Sequence, residues 1–126
     1  MSKTTFTSPE LAPPVGPFSQ AVEVGGFIYL SGQVGQDPTT GKLVAGGIEA
    51  ETERVLQNLS AVLKAAGKSF DDVVRVGVFL TRMGDFAALN GVYAKHFRQP
   101  FPARTTIAAG ALPLGACVEM DLVAKA

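Results

Sequence analysis

Cysteine occurs once in these 126 residues, as Cys117, histidine once, as His96, and tryptophan not at all. A single cysteine excludes an internal disulfide framework and fits a reducing compartment. His96 and Cys117, far apart in sequence, are too few soft or borderline ligands for zinc, so no metal site is expected. Charge is also scarce: Asp, Glu, Lys and Arg make up 17% of the chain, against about 25% in an average soluble protein. The formal net charge is zero, which leaves no electrostatic footprint for nucleic acid or an anionic membrane. No apolar run approaches the ~20 residues needed to span a bilayer. The opening Met1-Ser2-Lys3-Thr4-Thr5-Phe6 lacks the apolar core of a signal peptide. The expected address is the cytoplasm. Gly25-Gly26 and Gly46-Gly47 lack the spacing and the lysine of a P-loop, and no GxGxxG opens a helix.

What is present is largely apolar, at 47% hydrophobic. The length suits one domain, 1–126, with no internal repeat. A small chain with few charges struggles to cover itself, which predicts apolar surface that meets another copy. Pro9, Pro13, Pro14 and Pro17 predict an ordered arm without regular structure over residues 1–17. Extended runs at Ser19 to Val24 and Phe27 to Val34 flank Gly25-Gly26, a two-residue hairpin signal. Phe27, Tyr29, Ser31 and Gln33 share one face of the second run, and Gly32 permits close approach by a ligand or partner. Leu43-Val44 suggests a short third strand.

From Ile48 the apolar period becomes helical, through Val55, Leu56, Leu59, Val62 and Leu63, with Gly67 as the expected C-cap. Val73 to Leu80 is continuous and β-branched and reads as a central strand. A second helix follows, with Asp85 near its start, Phe86, Leu89, Val92, Tyr93 and Phe97 on its apolar side, and His96 placed to cap its last carbonyls. Pro100 and Pro102 end it. These elements predict an α+β fold with helices on one face of a mixed sheet, the other face needing a partner.

The last quarter carries the chemistry. Phe101-Pro102-Ala103-Arg104-Thr105-Thr106-Ile107 and Ala116-Cys117-Val118-Glu119-Met120-Asp121-Leu122-Val123 are two extended segments joined by a Gly/Pro loop. Paired as a hairpin looping over Gly110 to Gly115, they set Thr106 opposite Glu119 and Arg104 opposite Asp121. Arg104 and Glu119 then lie diagonally on one face, about 7–8 Å apart. A guanidinium beside a carboxylate could hold a small carboxylic acid and activate water. The same register serves an Arg104–Asp121 salt bridge on a solvated face equally well. Ser31 is either a ligand donor or an ordinary strand hydroxyl, and Asn90 either a helix-surface amide or a bond to a loop. Thr106 shares Arg104's side. Cys117, on a strand without an assignable His–Asp partner, is expected to pack rather than react.

Together Gly16-Pro17-Phe18-Ser19-Gln20-Ala21, Ile28-Tyr29-Leu30-Ser31-Gly32-Gln33-Val34-Gly35, Asp85-Phe86-Ala87-Ala88-Leu89-Asn90 with Tyr93, and Phe101-Pro102-Ala103-Arg104 through Leu112-Pro113 to Val118-Glu119-Met120 resemble the RidA/YjgF family of imine and enamine deaminases. The resemblance runs from about Ala12 to the end. It implies a chorismate-mutase-like α+β fold, a homotrimer with sites in clefts between subunits, and no cofactor. It also implies hydrolysis of reactive 2-imino and 2-enamino acids (2-aminoacrylate, 2-iminopropanoate, 2-iminobutanoate) to 2-keto acids and ammonia. By the family pattern Arg104 binds the substrate carboxylate and Glu119 positions water. Phe18, Ser31, Asn90 and the backbone around Thr106 line the pocket. The family often has tyrosine where this chain has Phe18, which implies a shift in substrate range or rate, and cysteine where it has Thr106. A second reading keeps the trimer but makes it a regulatory or chaperone-like binder of small carboxylates without turnover.

Overall fold

In the computed structural model, which describes residues 2–126, one mixed sheet carries six strands in the order β1-β2-β3-β6-β4-β5. They are β1 (Thr4–Phe6), β2 (Ala21–Val24), β3 (Phe27–Val34), β4 (Val73–Leu80), β5 (Ala103–Ala108) and β6 (Val118–Lys125); α1 (Gly47–Ala65) follows β3 and α2 (Phe86–His96) follows β4. The proline-rich arm does contain a strand. Its prolines lie beyond Phe6, so the backbone of β1 is free to pair Thr4 with Glu23 and Phe6 with Ala21. Met1 of that arm lies outside the described residues.

Local signals shape most elements. Gly25 and Gly26 take φ of +62° and +88°, the left-handed pair that a tight hairpin of the right twist requires. β3 is then forced beside β2, with Val24 opposite Phe27. α1 ends in a Schellman motif: Gly67, at φ +74°, donates to the Lys64 carbonyl and Lys68 to the Leu63 carbonyl. Leu43 makes only a single bridge to Gln36 rather than a strand. His96 does not cap its helix. Its Nε2 pairs with Glu53, tying α2 to α1.

β6 alternates cleanly. Val118, Met120, Leu122 and Ala124 are buried, while Glu119, Asp121 and Val123 are half-exposed. On β4, Val76, Val78 and Leu80 join them in a core completed by Val55, Leu56, Leu59, Val62 and Leu63 of α1 and Leu89 and Val92 of α2. Each such side chain contributes about 1.5–3 kcal/mol by leaving water. Both helices therefore cover one face of the sheet. On the other, Tyr29 and Ile107 are each 48% exposed. No helix is long and apolar enough to cross a membrane among the described residues.

The expected β5–β6 hairpin does not form. β4 lies between the two strands, parallel to β5 (Val76 beside Arg104, Val78 beside Thr106) and antiparallel to β6 (Val78 beside Met120, Phe79 beside Glu119). The segment after β5 instead arches over the end of β4, where Ala109 donates to the Leu80 carbonyl and Thr81 to the Cys117 carbonyl. A continuous apolar strand needs neighbours on both edges, and α2 supplies the crossover that a parallel β4–β5 pair demands.

Candidate functional site

The strand order separates the two charged residues. In a regular pair, facing residues share a side, so Arg104 follows Val76 to the helix face of the sheet. Glu119 follows Phe79 to the open face. Asp121, beside Gly77, is on the open face too, so the Arg104–Asp121 salt bridge is excluded as well. Within one chain neither carboxylate meets the arginine.

Arg104 lies along one stripe of α2 made by Phe86, Asn90 and Tyr93, which are four and then three residues apart. Its Nη2 donates to Asn90 Oδ1 at 2.7 Å. Its guanidinium carbon is 4.7 Å from the centre of the Tyr93 ring and 5.5 Å from that of Phe86. Tyr93 stacks on Phe97 at 4.3 Å, and Phe97 meets Phe70 at 4.8 Å. Burial pushes the Tyr93 phenol above its ordinary value, and the Arg104 charge opposes this. Among the described residues no carboxylate pairs with Arg104; the ion pairs are Lys64–Glu10, His96–Glu53 and Arg98–Asp71. The guanidinium is half-buried and keeps donors for an anion. Thr106, half-buried, is two residues along the same strand face.

Glu119 belongs to a different recess, a cavity of about 510 Å³ whose lining includes Phe18, Ser31, Gly32, Pro113, Leu114 and Glu119. The carboxylate lies against Gly32, where any Cβ would collide with it; Gly77 accommodates Asp121 in the same way. The space at Gly32, expected to admit a ligand or partner, is taken instead by the chain's own Glu119 carboxylate. Burial, and secondarily the Asp121 charge, raise the Glu119 carboxyl above the usual range. Ser31 donates its hydroxyl to the Ser19 carbonyl at 2.6 Å, which pins the arm that carries Phe18 and leaves the oxygen to accept. Phe18 is 53% exposed at the rim. Leu114, at φ +62°, is held left-handed beside it.

Of the expected site residues, Phe18, Ser31 and Glu119 come together in the recess, and Asn90, Arg104 and Thr106 come together on the helix side. Asn90 bonds neither a loop nor solvent alone but the arginine itself. Phe86 and Tyr93 escaped notice as partners of Arg104, although their spacing from Asn90 put them on its stripe. Cys117 packs against the core. Its thiol is pushed up to about 12 by burial, with the Glu51 carboxylate adding to the shift, which removes it as a nucleophile at neutral pH.

One recess can hold water against a carboxylate; the other face offers a fixed cation for a planar acid. The chain is an α+β protein with a mixed sheet, Arg104 on its helix side and Glu119 on its open face. The family model described as Endoribonuclease L-PSP matches residues 9–126, and the chain belongs to that family, the RidA/YjgF family its motifs resemble. A 2-iminobutanoate/2-iminopropanoate deaminase of Dermatophagoides farinae is 43% identical over 124 residues, 98% of this chain and 97% of that one. Its namesake in Mus musculus is 46% identical over 110 residues, 87% of this chain and 82% of that one. Among solved structures, RidA from the Antarctic bacterium Psychrobacter sp. PAMC 21119 aligns with a TM-score of 0.92 at 41% identity, covering 98% of this chain and 99% of its own.

Proposed function

We propose that this protein is a hydrolytic deaminase of 2-imino and 2-enamino acids, acting as a cytoplasmic homotrimer whose sites lie between neighbouring copies. Arg104 of one copy holds the substrate carboxylate, and Glu119 of the next positions the water that attacks C2. The C=N carbon gains the water oxygen, a proton passes to nitrogen, and collapse of the carbinolamine releases ammonia and a 2-keto acid. A carboxylate that holds and deprotonates water is typically worth about 10²–10⁴-fold. The charge-assisted anchor contributes roughly 1.5–3 kcal/mol.

One observation carries this reading: among the described residues Arg104 has no carboxylate partner and Glu119 is a half-buried carboxylate lining a recess, yet the two lie on opposite faces of one sheet. Each half is incomplete without the other, and a second copy of the chain can supply it. The uncovered sheet face supports assembly, since Tyr29 and Ile107 expose apolar surface there beside half-buried Phe79. The names of the relatives support the reaction.

The test mixes purified protein with threonine dehydratase and threonine and follows keto-acid release. The wild type speeds release, and Arg104→Ala abolishes the effect; an unchanged rate in the variant refutes the assigned role. A keto acid that raises the melting temperature while no imine is consumed points instead to a binding protein without turnover. Light scattering reads the oligomer, and a monomer removes the shared site.

A further inference from the structure

We infer that Tyr93, seconded by Phe86, is a positioning residue for Arg104: the two rings set the plane and reach of the guanidinium that receives the substrate carboxylate. This rests on the deaminase reading of the same site. An arginine on a strand near the sheet edge has four rotatable bonds and would ordinarily sweep a wide arc. Here three groups on one helix stripe remove that freedom. Asn90 Oδ1 takes one N–H at 2.7 Å. The rings of Tyr93 and Phe86 lie 4.7 Å and 5.5 Å from the guanidinium carbon, within cation–π range.

Tyr93 is itself immobilised. It is 7% exposed and rests on Phe97, which rests on Phe70. The platform therefore reaches back into the core. The Arg104 guanidinium approaches the Tyr93 hydroxyl closely enough for its charge and a loose contact to lower the phenol's pKa against burial, but among the described residues no hydrogen bond of full geometry joins them. The ring, not the hydroxyl, is the working part of this side chain. A lysine could not use such a cradle, because an ammonium has no plane to stack and no fork to present.

The experiment measures KM and kcat for imine hydrolysis, and calorimetric binding of 2-ketobutyrate, in Tyr93→Phe, Tyr93→Leu and Phe86→Leu. Tyr93→Phe keeps the ring and holds both KM and the keto-acid Kd within about twofold. Tyr93→Leu raises them roughly 3- to 30-fold, the range a lost cation–π contact commands, with a smaller change in kcat. Phe86→Leu, at an exposed position that tolerates change, raises them less. In an Arg104→Lys background the Tyr93→Leu loss disappears, because there is no stacked plane left to orient. Equal losses in Tyr93→Phe and Tyr93→Leu overturn the inference, as does a Tyr93→Leu loss that persists in full in the Arg104→Lys background. Should Tyr93→Leu fail to fold, an unaltered KM in Phe86→Leu overturns it. If the wild type hydrolyses no imine, the deaminase reading fails, while the dependence of keto-acid binding on the rings still decides the role of Tyr93.

Discussion

The surroundings of Arg104 and of Glu119, the two halves of the proposed site, are built by opposite means. Arg104 is held by attraction: an amide oxygen accepts from it and two aromatic faces flank it. Glu119 is held by space: Gly32 leaves room for a carboxylate that is partly desolvated and stands two residues from Asp121. The cation is stabilised where it sits, whereas the anion is destabilised and raised in pKa. If a second copy brings the two together, as proposed, the gain falls mainly on the carboxylate, whose desolvation a neighbouring guanidinium offsets.

The sharpest way to break this comparison is to separate the halves genetically. Arg104→Ala and Glu119→Gln chains, each inactive alone, are refolded together. If sites form between copies, each mixed trimer recovers one of its three interfaces, where an intact arginine faces an intact glutamate, and about a quarter of all interfaces in an equal mixture become active. No recovery would return both residues to one chain or dismiss one of them.

Gly32→Ala attacks only the glutamate half. Its Cβ displaces the Glu119 carboxylate, so under the proposed roles kcat falls about 10²-fold or more while KM, assigned to Arg104, changes little. A rise in KM with kcat intact would mean that Glu119 contributes to binding instead.

Glu119→Gln also tests the frustration through stability. A carboxyl raised in the folded chain opposes folding once it ionises. That penalty is absent below the ordinary glutamate value of about 4.3, grows as pH rises through the window up to the raised value, and is complete above it. Glu119→Gln should therefore melt higher than wild type at pH 7 and equal to it near pH 3.5. The gap should widen in an Arg104→Ala background if a neighbour's guanidinium compensates the charge. A wild type that melts higher at neutral pH contradicts the raised carboxyl. The smallest effect is expected from Leu114→Gly, which relieves the left-handed backbone at the rim and stabilises the fold by about 1 kcal/mol, read as a higher urea midpoint.

The legible parts of the chain were those whose signal is local. Gly25-Gly26 demanded a primed turn, the Ile48–Leu63 stripe a helix, and Cys117 a packing role. Arg104, Glu119, Phe18, Ser31 and Asn90 were singled out because their spacings match a family's motifs, and the roles given to them belong to the proposed function. The β5–β6 hairpin was misread because adjacency in sequence stood in for adjacency in space. The strand–helix–strand run from Val73 to Ala108 already signalled a parallel pair, and β4 claimed the place between. His96 was assigned to its own helix end, while Glu53 of α1 holds it across the interface. Tyr93 was counted as core, which it is, but its ring also faces the arginine.

By itself the sequence determined the elements and the residue types that could do chemistry, because turn geometry, helical period and strand alternation act over a few residues. Only the tertiary structure decided which face each charge takes. That choice follows from strand order, a property of contacts dozens of residues apart: β4 as neighbour turns Arg104 toward the helices with Val76 and leaves Glu119 on the open side with Phe79.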